Sequence, residues 1–536
     1  MRNIVFFNST IIHKKATVSH LTLFYIASAK PVCPIFHMKG IKRRAFLKNT
    51  LLASAGAVLA PSFLQARELT NTTKEKPFYP LSASGKKVIV AGAGITGLCC
   101  AYELMKAGHD VVVLEASGRY GGHVFTGRDG LSDGLYADFG ADHITKPGYE
   151  RFFDYVKEFN LTAIPYPNAE GSEAATDGHQ LKMISGKFYT AEMLKNPAVL
   201  KGFGFNEREV IFLSQNPFYA LGSLFIKTYL GKFTDAYQPF GVGYDDLDKV
   251  AIADIYKKEG ASPTALRFLG GHNANALYHL WRAAIMDFRG IPLSEGDTYH
   301  LKDGNEQLPM AFAKRLGDRV KLNHPITAIK HSGTGVTVTY KAYGTDDEKE
   351  MSADVLVNCI TLPVFKNITV TPPLSPEKQY VVDNLPYSSH PFYVFEASTK
   401  FWLDDGFKSI NMEFEHPDIS SVWLETNQVD TTRVILKAYG PGGLSPLRVL
   451  AAFREVYPGK HDTIEQALTK DWTTDKFAPA CEMEPFPIGE MKKFWPQIMQ
   501  PEGRIYFAGT YADNMSRGME SCIRSAQRVA GEIGKI

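Results

Sequence analysis

The stretch Lys87-Val88-Ile89-Val90-Ala91-Gly92-Ala93-Gly94-Ile95-Thr96-Gly97 decides the fold of this chain. Its first half is an uninterrupted apolar run, rich in β-branched residues, and predicts a short buried strand. Gly92, Gly94 and Gly97 then turn the chain tightly into a helix that is predicted to end near Gly108. Because glycines let the backbone approach a ligand closely, the N-terminus of this helix can hold a pyrophosphate group.

A second strand follows at once, in Asp110-Val111-Val112-Val113-Leu114-Glu115. Glu115 stands at its end, about 20 residues beyond the glycines, where a carboxylate binds ribose hydroxyls in dinucleotide-binding units. Strand, helix and strand in this order predict a Rossmann-type βαβ unit. At this point of the chain NAD and FAD are both open as the nucleotide.

The next residues distinguish the two cofactors. Arg119-Tyr120-Gly121-Gly122 and then Asp138-Phe139-Gly140-Ala141 resemble the double-glycine pattern of the superfamily of monoamine, polyamine and L-amino-acid oxidases. In that superfamily Arg119, Gly121 and Gly122 would bind the cofactor, since paired glycines let the backbone pass close to its phosphates. The resemblance therefore implies FAD.

Two further blocks of the same superfamily follow in the same order. The first spans Asp303-Gly304-Asn305-Glu306-Gln307-Leu308-Pro309 and continues to Pro325-Ile326, and the resemblance places Ile326 against the adenine. The second, Gly503 to Thr510 followed by Gly518-Met519-Glu520, opens a terminal helix. The resemblance implies cofactor contacts for Gly509, Thr510 and Met519. It extends from residue 86 to the C-terminus.

The implied fold class is α/β, with a discontinuous Rossmann-type FAD-binding domain and a second, α+β substrate domain. The FAD-binding domain is predicted over residues 85–145, 290–365 and 495–536, and the substrate domain over 146–289 and 366–494. In the substrate domain, Tyr149 to Asn160 and Ser262 to Ile285 have helical amphipathicity. Phe392 to Glu396 and Val434 to Ala438 are predicted strands.

Composition excludes two other classes of protein. The 536 residues carry 59 Lys and Arg against 57 Asp and Glu without a long run of like charge, so a nucleic-acid partner is not expected. An uninterrupted apolar stretch of about 20 residues is also missing, and no transmembrane span is predicted. The length is sufficient for two domains.

The N-terminal region predicts export. Residues 1–37 form a leader of uncertain status, and Met38 is a second candidate start. Residues 38–66 resemble a twin-arginine signal, with Lys42-Arg43-Arg44-Ala45-Phe46-Leu47-Lys48 before an apolar run from Leu51 to Ala60. Residues 67–84 are a predicted linker. The export machinery is then a partner, and the location is periplasmic or secreted.

The six cysteines form neither a disulfide framework nor a metal-ligand spacing, and no metal is predicted. Cys99 and Cys100 are expected on one buried helix, and Cys359 and Cys522 are expected to be small core residues. Cys481 aligns with the cysteine that forms a thioether with the flavin in monoamine oxidases. Covalent attachment and an inert buried thiol are both open, and the second is favoured.

The resemblance implies oxidation of a small-molecule amine or amino acid. Hydride leaves a carbon next to nitrogen for the flavin, and oxygen then takes the electrons and yields hydrogen peroxide. A flavin desaturase or isomerase of the same fold is a second hypothesis. A flavin-binding protein without catalytic activity is a third.

Candidate catalytic residues depart from the superfamily pattern. Phe392 occupies the position of a lysine that holds a water against the flavin in many members. His390 lies two residues earlier, on the same face of a strand, and could serve instead or be structural.

Four other positions also depart from the pattern. Glu482 and Gly518 fall at or next to the positions of the aromatic pair that encloses the amine in monoamine oxidases, and Glu482 could bind a cationic group or simply be solvated. His143 stands where L-amino-acid oxidases have an arginine, so it could receive an anion when protonated or be structural. His123 follows the double glycine in place of an arginine.

Overall fold

The computed structural model describes residues 85–166, 180–270, 273–291, 297–345, 347–389, 391–408, 410–425, 429–480, 482–514 and 518–535. The predicted leader, signal and linker lie outside these residues, as do His390 and Cys481.

The strands are short and come from the whole length of the described chain. In chain order they are β1 (Lys87–Ala91), β2 (Asp110–Leu114), β3 (Thr126–Gly127), β4 (Ala137–Asp138), β5 (Ile144–Lys146), β6 (Ala163–Pro165), β7 (Gln180–Ile184), β8 (Lys187–Thr190), β9 (Asp297–Leu301), β10 (Val320–Lys321), β11 (Ile326–His331), β12 (Val336–Lys341), β13 (Glu348–Ala353), β14 (Val355–Asn358), β15 (Thr369–Thr371), β16 (Tyr387–Ser388), β17 (Phe392–Ala397), β18 (Asn411–Glu413), β19 (Ser421–Glu425), β20 (Val434–Tyr439), β21 (Ile464–Thr469), β22 (Glu482–Met483) and β23 (Ile505–Phe507).

The α-helices concentrate between the strands of the first half and at the C-terminus. They are α1 (Ile95–Lys106), α2 (Glu150–Glu158), α3 (Pro197–Phe203), α4 (Glu207–Gln215), α5 (Ser223–Leu230), α6 (Ile252–Lys258), α7 (Pro263–Leu269), α8 (Ala276–Phe288), α9 (Gln307–Leu316), α10 (Leu362–Phe365), α11 (Pro376–Asn384), α12 (Pro446–Val456), α13 (Met491–Phe494) and α14 (Gly518–Ile533). Short 3₁₀ turns span Met193–Lys195, Phe218–Gly222, Asp245–Lys249, Gly317–Arg319, Phe401–Leu403, Trp472–Thr474 and Thr510–Ala512.

A parallel sheet of order β10-β2-β1-β14-β23 contains both strands of the predicted βαβ unit. Its central strand is apolar without alternation because both faces are covered. Val88 and Val90 pack with α1, α9 and α14 on one face, and Ile89 and Ala91 pack on the other with residues of the second sheet, β13-β12-β11-β15. Strands from separated parts of the chain meet in one layer. The predicted α/β, Rossmann-type and discontinuous fold is thus confirmed, while the residue bounds of the two domains stay predictions.

The βαβ unit agrees closely with the sequence pattern. β1 and β2 pair in parallel, and α1 between them ends at Lys106. Gly108 follows with a φ of 88°, a value that an L side chain rarely adopts, and its N–H donates to Met105 O at 3.0 Å. The predicted end near Gly108 is therefore confirmed. Cys99 and Cys100 are fully buried on this helix.

The amphipathic stretch from Ser262 to Ile285 forms two helices instead of one. α7 is capped by the Ser262 side chain and ends at Leu269, where Gly270 takes a φ of 59°. Asn275 then caps α8 by accepting a hydrogen bond from Tyr278 N at 3.0 Å. Caps and a glycine interrupt the chain here, although the apolar periodicity continues across the break.

The second large sheet has the order β21-β17-β20-β19-β18-β7-β8. The predicted strands Phe392–Glu396 and Val434–Ala438 are confirmed as β17 and β20, which pair antiparallel. On one face, Phe395 packs against Phe453 of α12 with ring centroids 6.0 Å apart. The other face carries Phe392 and, directly opposite Val394, the side chain of Lys437.

None of the helices in the described part of the chain has the length and apolar character needed to span a membrane.

Candidate cofactor and substrate site

One cavity of about 890 Å³ runs from the parallel sheet to the second large sheet. Most of the residues predicted to bind the cofactor line it. They are Gly92, Gly94, Glu115, Arg119, Gly121, Gly122, Ile326, Gly509, Thr510 and Met519. The volume is near the upper end of the range of about 300–1,000 Å³ found for small-molecule and cofactor sites.

The turn after β1 brings the N-terminus of α1 to the cavity. Gly94 is its N-cap, and Gly94, Ile95 and Thr96 line the wall. The first-turn N–H groups of a helix have no partner within the helix and suit an anion. Gly97 acts differently, since a Cβ there would stand 1.9 Å from Gly92 O. Its role is to let helix and turn pack closely.

The double glycine closes over the same place. Gly121 N donates to Ala93 O at 2.9 Å, which joins the two glycine loops. Gly121 has a φ of 98°, and a Cβ on it would meet Val124 O at 2.5 Å, so only glycine fits. Arg119 donates to the carbonyls of Tyr120 and Gly122, and its guanidinium lies 5.0 Å from the Phe125 ring centroid. This fixes a positive charge at the cavity wall.

Glu115 is held by two backbone groups. Its Oε2 accepts from Ala93 N and its Oε1 from Ser117 N, each at 2.7 Å. Each oxygen keeps a lone pair for a hydroxyl group. The N-terminus of α1, the Glu115 carboxylate, the Arg119 cation and the glycine loops together fit a dinucleotide cofactor. Ile326, on β11, also lines the cavity.

The other end of the cavity is aromatic. Phe392, Tyr439 and Trp472 line it, with 5.8 Å between the ring centroids of Phe392 and Tyr439. His123 also lines the wall and packs on Trp472 with ring centroids 4.2 Å apart. Burial lowers the pKa of His123 to about 4, so it is neutral near pH 7. It does not supply the positive charge of the arginine that it replaces.

His143 faces this end of the cavity with 41% of its side chain exposed. Its ring stacks on Tyr166 at 5.0 Å between centroids, and its Nδ1 lies 3.2 Å from Asp142 Oδ2. The structure therefore brings together His143 and Phe392, two of the four candidate catalytic residues. Glu482 is described only in its backbone, which pairs with Ser388, and His390 is outside the described residues.

Gly518 lies at or next to a position where monoamine oxidases have an aromatic side chain, and in this chain a tyrosine from another segment lies beside it. A Cβ on Gly518 would stand 2.3 Å from the hydroxyl oxygen of Tyr149, and Tyr149 itself lines the cavity. An aromatic ring thus reaches this position from the segment just before α2.

Sequence reasoning missed Lys437, Glu425, Asp142 and Tyr166, which form a buried ionisable cluster behind His143. Lys437 is fully buried, and its Nζ lies 4.1 Å from the centroid of the Phe392 ring. A lysine in the middle of the apolar run Val434-Ile435-Leu436-Lys437-Ala438-Tyr439 is a signal that could have found it, since buried lysines are rare unless paired.

Comparison with known proteins agrees with this geometry. Residues 95–534 match the family model described as flavin containing amine oxidoreductase. The L-amino-acid oxidase of Vipera ammodytes ammodytes is 26% identical over 474 residues, covering 85% of this chain and 94% of the relative. The L-amino-acid oxidase of Protobothrops flavoviridis is 27% identical, covering 85% and 90%.

Two solved structures have the same fold. Putrescine oxidase bound to putrescine superposes with a TM-score of 0.69 at 20% identity, over 84% of this chain and 99% of that one. Cyclohexylamine oxidase from Brevibacterium oxydans IH-35A gives 0.67 at 20% identity, over 84% and 99%. The predicted cofactor, FAD, and the predicted oxidoreductase class are confirmed by the family match. The chain belongs to the flavin-containing amine oxidoreductase family.

Proposed function

We propose that this enzyme oxidises the carbon next to nitrogen in a small amine or α-amino acid, with oxygen as the electron acceptor and hydrogen peroxide as a product. The observation that carries the proposal is one cavity that joins a nucleotide cradle to an aromatic chamber with one half-exposed histidine, His143. The relatives named as L-amino-acid oxidases support the amino-acid arm, and the amine oxidases of the same fold support the amine arm.

The residues of this chain do three things in that reaction. Gly94, Gly121 and Arg119 would hold the pyrophosphate of FAD, and Glu115 would hold its ribose. FAD, when bound, supplies the hydride acceptor. The aromatic chamber excludes water and disfavours a substrate ammonium group by desolvation, so the bound amine is held in the neutral form from which hydride can leave.

Two measurements on the purified yellow protein test this proposal. Anaerobic addition of a panel of L- and D-amino acids, monoamines and diamines should bleach the flavin absorbance for at least one class. Admission of air should then restore the colour with release of peroxide. Bleaching without peroxide on return of air would overturn the oxygen acceptor alone. Turnover of an apolar ring or polyene with formation or migration of a double bond, without any response to amines, would favour a desaturase or isomerase instead.

We also propose that the protein is exported by the twin-arginine route and works in the periplasm or outside the cell. The support is Arg43-Arg44 with Phe46-Leu47 before the apolar run Leu51–Ala60. This route carries folded proteins, which suits an enzyme that must bind FAD before export. Replacing Arg43 and Arg44 together by Lys should retain the protein in the cytoplasmic fraction. Unchanged export of that variant would contradict the proposal.

A further inference from the structure

A buried cluster of ionisable side chains lies directly behind His143. Its members come from distant segments, and each is at most 6% exposed; they are Asp138, Asp142, Tyr166, His300, Glu425 and Lys437. A cluster of this kind is costly to bury unless charges and hydrogen bonds are matched. The chain could have used apolar residues here, so the cluster calls for a functional explanation.

Lys437 is the centre of the cluster. Its Nζ lies 2.7 Å from Asp142 Oδ2 and 3.6 Å from Glu425 Oε2, and it donates to the backbone oxygen of Asp138 at 2.7 Å. The lysine ammonium thus occupies the place where a cation bound by these carboxylates would lie. In the described part of the chain no group of His, Cys, Asp and Glu is arranged to hold a metal.

The cluster has too few hydrogen-bond donors to stabilise three ionised carboxylates. The Tyr166 hydroxyl is within hydrogen-bond distance of both Asp142 Oδ1 and Glu425 Oε1, but it has one hydrogen to give. Burial raises the pKa of Glu425 to about 8 and the pKa of Asp138 to about 7. Burial would also raise the pKa of Asp142, but the charges of His143 and Lys437 beside it outweigh burial and lower it. Asp142 is therefore ionised throughout the neutral range, whereas near pH 7 Asp138 is about half ionised and Glu425 is mostly protonated.

His143 is the exposed member of this network in the cavity, where Asp142 also lines the wall but is only 6% exposed. Its Nδ1 lies 3.2 Å from the carboxylate of Asp142, which Lys437 and Tyr166 hold in place from behind. A hydrogen on Nδ1 is attracted by that carboxylate, which favours the ring tautomer that has its lone pair on Nε2. The fully buried ring of His300, on β9, faces the same carboxylates from the far side and has no hydrogen-bond partner.

We propose that His143 is the base that removes a proton from the substrate ammonium group, and that Asp142, held by Lys437 and Tyr166, positions the His143 ring for this step. The inference rests on the proposed function. The N–H bond of the ammonium breaks, its electron pair stays on nitrogen, and the proton moves to His143 Nε2. The neutral amine then loses hydride from the adjacent carbon while the nitrogen lone pair forms the C=N bond. His143 is a catalytic residue in this account, and Asp142 and Lys437 are positioning residues.

A different role for His143 would be to receive a substrate carboxylate. A matched pair of substrates separates the two roles, for example L-phenylalanine and phenethylamine, which differ only by the carboxylate. A base serves both substrates equally, whereas a carboxylate anchor serves only the amino acid.

The first variant is His143→Gln, which keeps a polar side chain at a half-exposed position and should fold. We expect kcat/KM at pH 7 to fall by about 10²- to 10⁴-fold for both substrates, as general-base removal does. The loss should shrink as pH rises, because the neutral amine then becomes abundant in solution. A loss confined to phenylalanine, a loss that does not change with pH, or no loss at all would each overturn the proposal.

The second variant is Asp142→Asn, with Glu396→Gln as the matched control. Glu396 is also a buried carboxylate on the second large sheet, but it accepts from Ser132 N at 2.8 Å and lies 3.5 Å from Arg433 Nε, and neither of these partners belongs to the cluster. In Asp142→Asn we expect kcat/KM at pH 7 to fall for both phenylalanine and phenethylamine, and the loss to shrink as pH rises as in His143→Gln, because the carboxylate no longer holds the ring with its Nδ1 hydrogen towards it. No loss, a loss that does not change with pH, or an equal loss in Glu396→Gln would contradict the positioning role.

These outcomes are separate from failure of the proposed function. If the wild-type flavin is not bleached by any amine or amino acid, the function is wrong. If the wild type is active and His143→Gln matches it, only the inference is wrong. FAD content and the melting temperature of each variant confirm that a folded holoenzyme is being compared.

Discussion

The two ends of the cavity differ in whether backbone or side chains form most of the wall. The nucleotide end is formed mainly by backbone, because glycines and the N-terminus of α1 make up much of its wall, and the side chains of Glu115 and Arg119 add charge to it. The substrate end consists of side chains, with Phe392, Tyr439 and His143 at the surface and a charged cluster behind them. A backbone cradle accepts few substitutions, whereas side chains can be exchanged one at a time. Substrate preference can therefore diverge while the cofactor site stays the same.

The largest effect is expected from breaking the charged cluster. Lys437→Met removes the cation and leaves Asp142 as a buried charge without its main partner. Breaking a buried ion pair in this way costs about 3–5 kcal/mol. The free energy of unfolding, measured with a denaturant, should fall by this amount.

A second buried lysine provides the matched control for this variant. Lys378 is 2% exposed, but its Nζ donates to the backbone oxygens of Gln497 and Gln500 instead of a buried carboxylate. Lys378→Met should therefore cost less, about 1–3 kcal/mol for unsatisfied acceptors. Equal losses in the two variants would mean that the ionic character of the cluster is unimportant for stability.

The pH dependence of stability tests the protonated state of Glu425. Its pKa is raised by burial to about 8 from 4.5, so its contribution to stability is fully present below pH 4.5 and is lost as pH rises towards 8. The slope cannot exceed about 1.4 kcal/mol per pH unit. Glu425→Gln cannot ionise, so its melting temperature relative to wild type should increase steadily between pH 5 and pH 8. A difference that is constant over this range would contradict a protonated Glu425.

At the nucleotide end, the close packing of α1 is the most sensitive feature. In Gly97→Ala the new Cβ would stand 1.9 Å from Gly92 O, which forces the helix away from the turn. Overpacking of this kind costs about 1–3 kcal/mol. We expect the purified variant to have lost most of its FAD and to melt at a lower temperature.

Gly531 on α14 is the control for this substitution, because a Cβ there meets nothing within 4 Å. Gly531→Ala should be neutral or stabilise the helix by about 0.5–1 kcal/mol. If both alanine variants retain FAD equally, the packing argument for Gly97 fails.

The contrast between the two ends also explains what the sequence could predict. The nucleotide end was predictable residue by residue, since Gly92, Gly94, Glu115 and Gly121 lie within 30 residues of one another, and Gly92 and Gly121 have positive φ values that favour glycine. The strands β17 and β20 were predictable from alternation alone. Their assignment as strands was correct, although the role of Lys437 on β20 was overlooked.

The substrate end could not be predicted in this way. Asp142 and Tyr166 are far from Glu425 and Lys437 in sequence, and the two pairs meet only in the folded structure, where the second large sheet contacts the segments after β4 and β6. The single signal was Lys437 within an apolar strand. The break between α7 and α8 was overlooked for a different reason. The apolar periodicity continues across it, and only the capping residues Ser262 and Asn275 mark two separate helix starts.

A smaller effect is expected at Glu115. Its two oxygens accept from Ala93 N and Ser117 N, and a glutamine has only one acceptor oxygen. In Glu115→Gln one of these N–H groups loses its partner and a ribose hydroxyl loses a charged acceptor. The dissociation constant of FAD, measured by titrating the flavin-free protein, should rise by about 10-fold, which corresponds to about 1.4 kcal/mol. Asp110→Asn, at the exposed start of the same strand, should leave it unchanged.

The smallest effect is expected at Cys481, where a covalent bond to the flavin would add a side-chain attachment to the backbone cradle. A buried thiol is usually inert, so we expect acid precipitation to release the yellow colour into the supernatant from wild type and Cys481→Ala alike. Cys359 and Cys522, which were expected in the core, line the cavity wall and are inert in this sense, because burial raises the pKa of both thiols, that of Cys522 to about 11. Colour that stays with the wild-type peptide containing Cys481, and is lost in the variant, would show that a side chain also anchors the cofactor.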